Sequence, residues 1–249
     1  MTAALETLLT DITNHPALNN DFYNKWMTGK FTIDELTVFA RNYGEWVKSF
    51  PDALAILLVT TDDIDAKTEY VKTLFSEMGY GNAEKVHCVL LNNFFKELAA
   101  KVAPGREGEI DWDRLQKAVE LAPTTQQLIQ GEQDLYRDPQ MSFGAQLALE
   151  WQAYTMLRKL YDGARNYLPL WNNPDEFHEA CEYYYAHIGA TEKEHKEESL
   201  KAVKRYATSE ENLAKMMEGY HRHLDLIFNF WQGLFHALTT IPERSTAAA

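Results

Sequence analysis

Tyr183–Tyr184–Tyr185–Ala186–His187–Ile188–Gly189–Ala190–Thr191–Glu192–Lys193–Glu194–His195 lies within a segment of helical pattern that runs from Asp175 to about Ala207 and is entered through Asn172–Asn173–Pro174. Glu192 and His195 are three residues apart, so on a helix they share one face and can reach one ion. His187 precedes His195 by eight residues. At about 100° per residue the two imidazoles stand roughly 80° apart, with Glu192 about 140° from His187. One inserted backbone residue, a π-bulge, would bring all three onto a single stripe. Gly189 is the residue least suited to a regular helix, so the bulge is expected between Ala186 and Glu192. Two readings stand at this point: a metal-binding helix, or a charged solvated face from Glu192 to Glu198 with an incidental histidine at each end.

Composition narrows the classes. The 249 residues suffice for a full core, and 45% hydrophobic content is ordinary for a globular chain. No apolar run approaches the roughly 20 residues of a membrane span, and the N-terminus lacks the basic start and apolar core of a signal peptide. Two cysteines, Cys88 and Cys181, make no disulfide framework, and the expected location is the reducing cytoplasm. A net charge of −13 argues against nucleic acid and anionic membranes as partners. With 6 Trp, 13 Tyr and 12 Phe, the chain can build either a thick core or an apolar ligand cavity.

Helical spacing recurs along the chain, and no segment shows the β-branched alternation of a strand. Leu5, Leu8, Leu9 and Ile12 suggest a first helix, and Phe22, Tyr23 and Trp26 a second. Thr32 and Glu35 form a capping box that opens a third, and Pro51 is expected to start the next. Gly79–Tyr80–Gly81–Asn82 interrupts the pattern before a helix that holds His87, Leu90, Leu91 and Phe94. Pro104–Gly108 is a surface connection, followed by helices near Asp111–Leu121 and Thr124–Asp134. A long helix from Ser142 to about Asp162 carries Glu150 in the apolar setting Leu147–Ala148–Leu149–Glu150–Trp151. Ser209–Glu210–Glu211 opens the last helix, halted by Pro242. The expected fold is all-α: residues 1–243 form a single helical-bundle domain of about seven main helices, and 244–249 a disordered C-terminal tail.

Helix bundles build metal sites from inward carboxylates and histidines on facing helices. Three helices here offer such groups: Glu77 and His87 flanking the glycine break, Glu150, and His187, Glu192 and His195. Three carboxylates with three imidazoles suit two iron or manganese ions. Each has an ordinary alternative, with Glu77 capping or salt-bridging near a helix end, His87 as a satisfied core histidine, and Glu150 paired with Arg158 or Lys159. Signatures of Ser–His–Asp nucleophiles, phosphate loops and CxxC pairs are absent.

His15–Pro16, Phe22–Tyr23–Asn24–Lys25–Trp26, Gly29–Lys30, Tyr43, Phe50–Pro51, Thr61–Asp62–Asp63–Ile64, Glu77–Met78–Gly79–Tyr80, His87, Ala148–Leu149–Glu150 and the His187–His195 stretch together carry a resemblance. The chain resembles the haem-oxygenase-like diiron oxidases, in the branch around the chlamydial death-domain-associating protein and its cyanobacterial relatives. That resemblance implies a haem-oxygenase-like bundle and the metal ligands Glu77, His87, Glu150, His187, Glu192 and His195. Two spacings depart from the family pattern. Its first carboxylate and histidine usually lie seven residues apart, against ten here, and its last motif is usually one residue shorter. Glu84, Thr191 and Glu194 therefore stand as alternative ligands.

The resemblance further implies two ferrous ions, or manganese, with O2 as co-substrate. They would oxidise a small amino-acid-like or amine substrate by N-oxygenation, C–C scission or nitrile formation, with an external electron donor and a homodimer as further partners. One branch makes 4-aminobenzoate from its own tyrosine. Tyr23 resembles that tyrosine and is the candidate catalytic residue, with Lys159 near the donor-lysine position but out of register, so an external substrate is the preferred expectation. The substrate pocket is expected against Tyr43, Trp46, Phe50, Tyr154 and Tyr184, for which ordinary core packing is the alternative. Two other classes remain: a non-catalytic helical interaction protein with a degenerate metal site, and a thiaminase-like hydrolase with Cys88 as nucleophile.

Overall fold

The computed structural model describes residues 12–103, 110–188 and 191–241, and for 191–195 the course of the helix only. The expected first helix over Leu5–Ile12 and the tail 244–249 fall wholly or almost wholly outside the described residues. Among those described are eleven α-helices and no strand. They are α1 (Asp21–Thr28), α2 (Ile33–Thr60), α3 (Ile64–Glu77), α4 (His87–Val102), α5 (Trp112–Ala118), α6 (Pro123–Arg137), α7 (Met141–Ala164), α8 (Pro174–Ala180), α9 (Glu182–Ile188), α10 (Thr191–Tyr206) and α11 (Glu210–Thr239). The all-α expectation holds, but the helix count exceeds the expected seven. The excess is α1, α5, α8 and α9, each of seven or eight residues; α1 and α5 match short helices expected from the sequence, whereas α8 and α9 replace the first part of the single run expected from Asp175 to Ala207.

Local chemistry accounts for most boundaries. Thr32 and Glu35 form the expected capping box at the start of α2. Asp63 caps α3 by accepting from the N–H groups of Asp65 and Ala66, and Ser209 caps α11 by accepting from that of Asn212. Two expectations are corrected. Pro51 does not begin a helix but lies inside the 28-residue α2. The buried stripe Leu36–Phe39–Ala40–Tyr43–Trp46 continues in phase through Ala53, Leu54 and Leu57. Packing along this stripe offsets the hydrogen bond that the proline lacks. The run Asp175–Ala207 is not one helix either: Cys181 leaves helical geometry at φ −87°, ψ 15°, separating α8 from α9. Gly189 and Ala190, on which the expected bulge depends, lie outside the described residues.

Helices α7 and α11 form the spine of the bundle, flanked by α6 on one side and by α10 and α1 on others, with α2 covering α6, α4 and α3. Two glycines set the spacing of the spine. A Cβ on Gly144 of α7 would overlap the carbonyl oxygen of Met216, and one on Gly219 of α11 would overlap that of Met141. The two backbones thus interlock reciprocally. Trp26 of α1 donates its indole N–H to the Leu160 carbonyl at 2.7 Å and holds α1 against α7.

Replacing Gly144 or Gly219 with alanine forces backbone against backbone and is expected to cost about 1–3 kcal/mol, the usual range for overpacking. Gly44, in the interior of α2, has nothing within 4 Å of its would-be Cβ. Gly44→Ala should therefore be neutral or stabilising by roughly 0.5–1 kcal/mol. Urea midpoints at unchanged slope measure both effects.

Candidate metal centre and cavity

The centre is assembled from three helix ends. Glu77 is the last residue of α3, His87 the first of α4, and His187 lies in the final turn of α9. Their ligand atoms all fall within 4.8 Å of one another. Glu77 Oε2 is 2.9 Å from His87 Nδ1, Glu77 Oε1 is 3.5 Å from His187 Nε2, and the imidazole centroids are 4.3 Å apart. The ten-residue spacing between Glu77 and His87 is absorbed by a tight loop. Gly79, Tyr80 and Gly81 adopt φ of 63°, 54° and 85°, and a Cβ on Gly79 would overlap the backbone of Lys85. A 3-10 turn at Ala83–Lys85, capped by Asn82, then delivers the chain to His87. Only glycine takes such a conformation at such close approach without strain.

Hydrogen bonding aims the ligands. Nδ1 of His187 lies 2.7 Å from the Tyr183 carbonyl, an acceptor only, so Nδ1 carries a proton and Nε2 is the nitrogen turned toward Glu77, where it could bind a cation. His87 Nδ1 is buried and close to Glu77, yet the carboxylate lies off the direction in which the ring nitrogen could donate, so that nitrogen has no hydrogen bond. Glu77 itself is buried. Burial would raise its carboxyl pKa, but its interactions with His187 and His87 outweigh that and hold it at about 2. An ionised carboxylate with two imidazole nitrogens 2.9 and 3.5 Å from its oxygens makes a donor set that fits iron or manganese.

These groups form one end of a cavity of about 730 Å³, counting the solvent at its mouth. Tyr43, Trp46 and Phe50 line it as expected from the sequence, and so do Leu149, Met156 and Tyr183. Among the described residues, the buried indole N–H of Trp46 has no hydrogen-bond partner. The Tyr43 and Tyr183 hydroxyls share a hydrogen bond of 2.7 Å. Burial pushes both phenol pKa values up, so both stay protonated.

Glu150, 6% exposed, stands on the same cavity wall but outside the close triad. Its Oε1 accepts from Gln146 Nε2 at 2.6 Å. The side chains of Glu192 and His195, and of the alternatives Thr191 and Glu194, lie outside the described residues. Glu84 is exposed and not in the triad.

Two expected pocket residues are placed elsewhere. Tyr154 is 42% exposed. It follows Ala153, which lines the cavity, and one helical step of about 100° turns it toward solvent. Tyr184 is turned from the cavity by the same step from Tyr183 and packs edge-on against Phe94 at 5.2 Å. Tyr183, missed in the sequence, was hidden by its neighbours, since three consecutive tyrosines give no phase. Tyr23 is fully buried but does not line the cavity; its ring packs 4.9 Å from Trp231, and the Lys159 ammonium lies 5.5 Å over it. Cys88 opens instead on a separate groove with Arg41 and Lys48.

The chain is similar to several known proteins. The proteins named 4-aminobenzoate synthase of Chlamydia pneumoniae and Chlamydia trachomatis are 30% and 33% identical to it over 77 and 79 residues. Each match spans 31% of this chain and only 34% of the relative. A CADD-like protein of unknown function from Nostoc punctiforme superposes with a TM-score of 0.70 at 15% identity, over 94% of this chain and 97% of its own. A domain of unknown function with a heme oxygenase-like fold from Shewanella denitrificans gives 0.66 at 14% identity, over 100% and 96%. These structures show the fold, a heme oxygenase-like bundle. Residues 37–227, which include α3, the glycine loop, α4, α7 and α9, match the model of a family described as iron-containing redox enzymes. The chain belongs to that family of iron-containing redox enzymes.

Proposed function

We propose that the chain is a non-haem iron oxidase or oxygenase that uses O2 to oxidise a small amine or amino-acid-like substrate. The observation that carries this reading is the buried Glu77–His87–His187 triad at the end of an apolar cavity. Those three residues would hold one ion, and Glu150 with Glu192 and His195 would complete a second. Iron bound there would supply the O2 activation and the electron transfer of the oxidation.

The chain's own residues do the rest. Trp46, Phe50 and Met156 exclude water and give an apolar or aromatic substrate its contact area. The partnerless Trp46 N–H is the donor that a substrate carboxylate or hydroxyl would meet. The Tyr43–Tyr183 pair closes the cavity beside His87 and His187 with protonated phenols. A hydrolase using Cys88 is disfavoured, because burial pushes that thiol pKa up, the reverse of what a nucleophile needs, and the residue faces another groove.

One observation favours a second reading, in which Tyr23 is itself consumed, as the resemblance to the branch that uses its own tyrosine implies. The Lys159 ammonium over the Tyr23 ring brings an amine to a buried phenol. Mass spectrometry of the Tyr23 peptide after addition of ferrous iron and O2 separates the two readings. An unchanged Tyr23 mass with continued O2 uptake supports an external substrate, and a Tyr23 altered in step with turnover supports self-consumption.

Anaerobic titration with ferrous iron tests the centre. Glu77→Ala, His87→Ala and His187→Ala should each weaken binding by at least about 100-fold, the upper end of what outer partners cost. Trp46→Phe should leave iron binding intact and raise KM. Equal iron affinity in all four proteins would remove the proposed centre.

The metal-free protein should also show a defined acid response. Glu77 has a folded-state pKa of about 2 against an ordinary value of 4.5. A depressed carboxyl contributes stability that is fully present above its unfolded pKa and lost as pH falls through its folded one. Stability should therefore decline from about pH 4.5 toward pH 2, and Glu77→Gln should remove that part of the slope in urea titrations across this range.

A further inference from the structure

We infer that Gln146, held from behind by Tyr136, is the positioning residue of the Glu150 carboxylate. This rests on the reading of Glu150 as a metal ligand. Gln146 lies one turn before Glu150 on α7 and is 2% exposed. Its Nε2 donates to Glu150 Oε1 at 2.6 Å, while its Oε1 accepts from the Tyr136 hydroxyl at 2.7 Å. The two contacts are mutually consistent. A carboxylate can only accept, which forces the amide nitrogen toward Glu150, and a protonated phenol then meets the amide oxygen. Burial, reinforced by Glu132 and Glu150, raises the Tyr136 pKa well above its ordinary value and keeps it a donor.

The support continues away from the cavity. Tyr136 stacks on His223 with rings 11° from parallel and 6.4 Å between centroids. His223 Nε2 sits 3.0 Å from Glu132 Oε1, both side chains being essentially inaccessible. Helices α6, α7 and α11 thus converge on the orientation of one carboxylate. The type of partner matters. An arginine or lysine at position 146 would orient Glu150 but also neutralise it, and so compete with a cation. A neutral amide fixes Oε1 without itself neutralising the charge. Tyr136 does not line the cavity, and its hydrogen-bonded route to the Glu150 carboxylate runs through Gln146.

Cobalt(II) titration of the full chain, followed by the visible spectrum of the bound ion, provides the test. Gln146→Met and Tyr136→Phe should each weaken cobalt binding by about 10-fold, the lower range for outer partners, and shift the spectrum. The double variant should be no weaker than Gln146→Met alone, because the two act in series. Urea midpoints check folding, and if Gln146→Met fails to fold, Tyr136→Phe alone decides. Unchanged affinity and spectrum in the variants, or a double variant in which the two losses multiply, would overturn the assignment. Wild-type protein that takes up cobalt as tightly as Glu150→Gln would show that Glu150 is no ligand and would end this inference while sparing the triad. Wild-type protein that takes up no cobalt would overturn both the metal reading and this one.

Discussion

An ionised carboxylate removed from water is among the costliest groups a core can hold, and Glu77 is such a group. It is tolerated because two imidazoles from different helices converge on it. That requirement governs the surrounding architecture. It fixes where α3 ends, where α4 begins and which turn of α9 faces inward. Removing one partner of such a buried set leaves a charge less compensated, so the three helix ends stabilise one another. The same three groups that stabilise one another in the metal-free chain are those that would release their attraction to a cation.

The cavity divides its tasks by wall. One end is polar, formed by the Glu77 carboxylate and two imidazoles; the other walls are mostly aromatic and aliphatic. Specificity in such a space comes from the few unsatisfied donors, because an apolar contact discriminates only modestly whereas a donor left unpaired penalises the wrong ligand. The Trp46 N–H is such a group. Substrate choice would therefore depend on a handful of atoms on α2 and α7, and the metal chemistry on the ends of other helices.

Much of this was legible in the sequence because helical periodicity and capping are local signals. The capping box at Thr32, the apolar setting of Glu150 and the pairing of Glu77 with His87 across a glycine break could all be read without a structure. What could not be read depended on phase over distance. The continuity of α2 through Pro51 is decided by packing along a stripe that the proline does not interrupt. The break at Cys181 has no glycine or proline to announce it. Tyr183 and Tyr184 are chemically identical neighbours, and only the exact start of α9 determines which one sees the cavity. Gln146 and Tyr136 carry no motif at all; their roles emerge where α6 meets α7.

The loop of three left-handed residues between α3 and α4 has a consequence for recognising distant relatives. Such a loop can gain or lose residues at its tip while its two ends stay clamped, so the interval between the carboxylate and the histidine is free to drift along the sequence. A search that demands a fixed number of residues between them would discard chains whose ligands coincide in space. The invariant to look for is the geometry of two helix ends meeting, with a small residue where the strands of the loop cross.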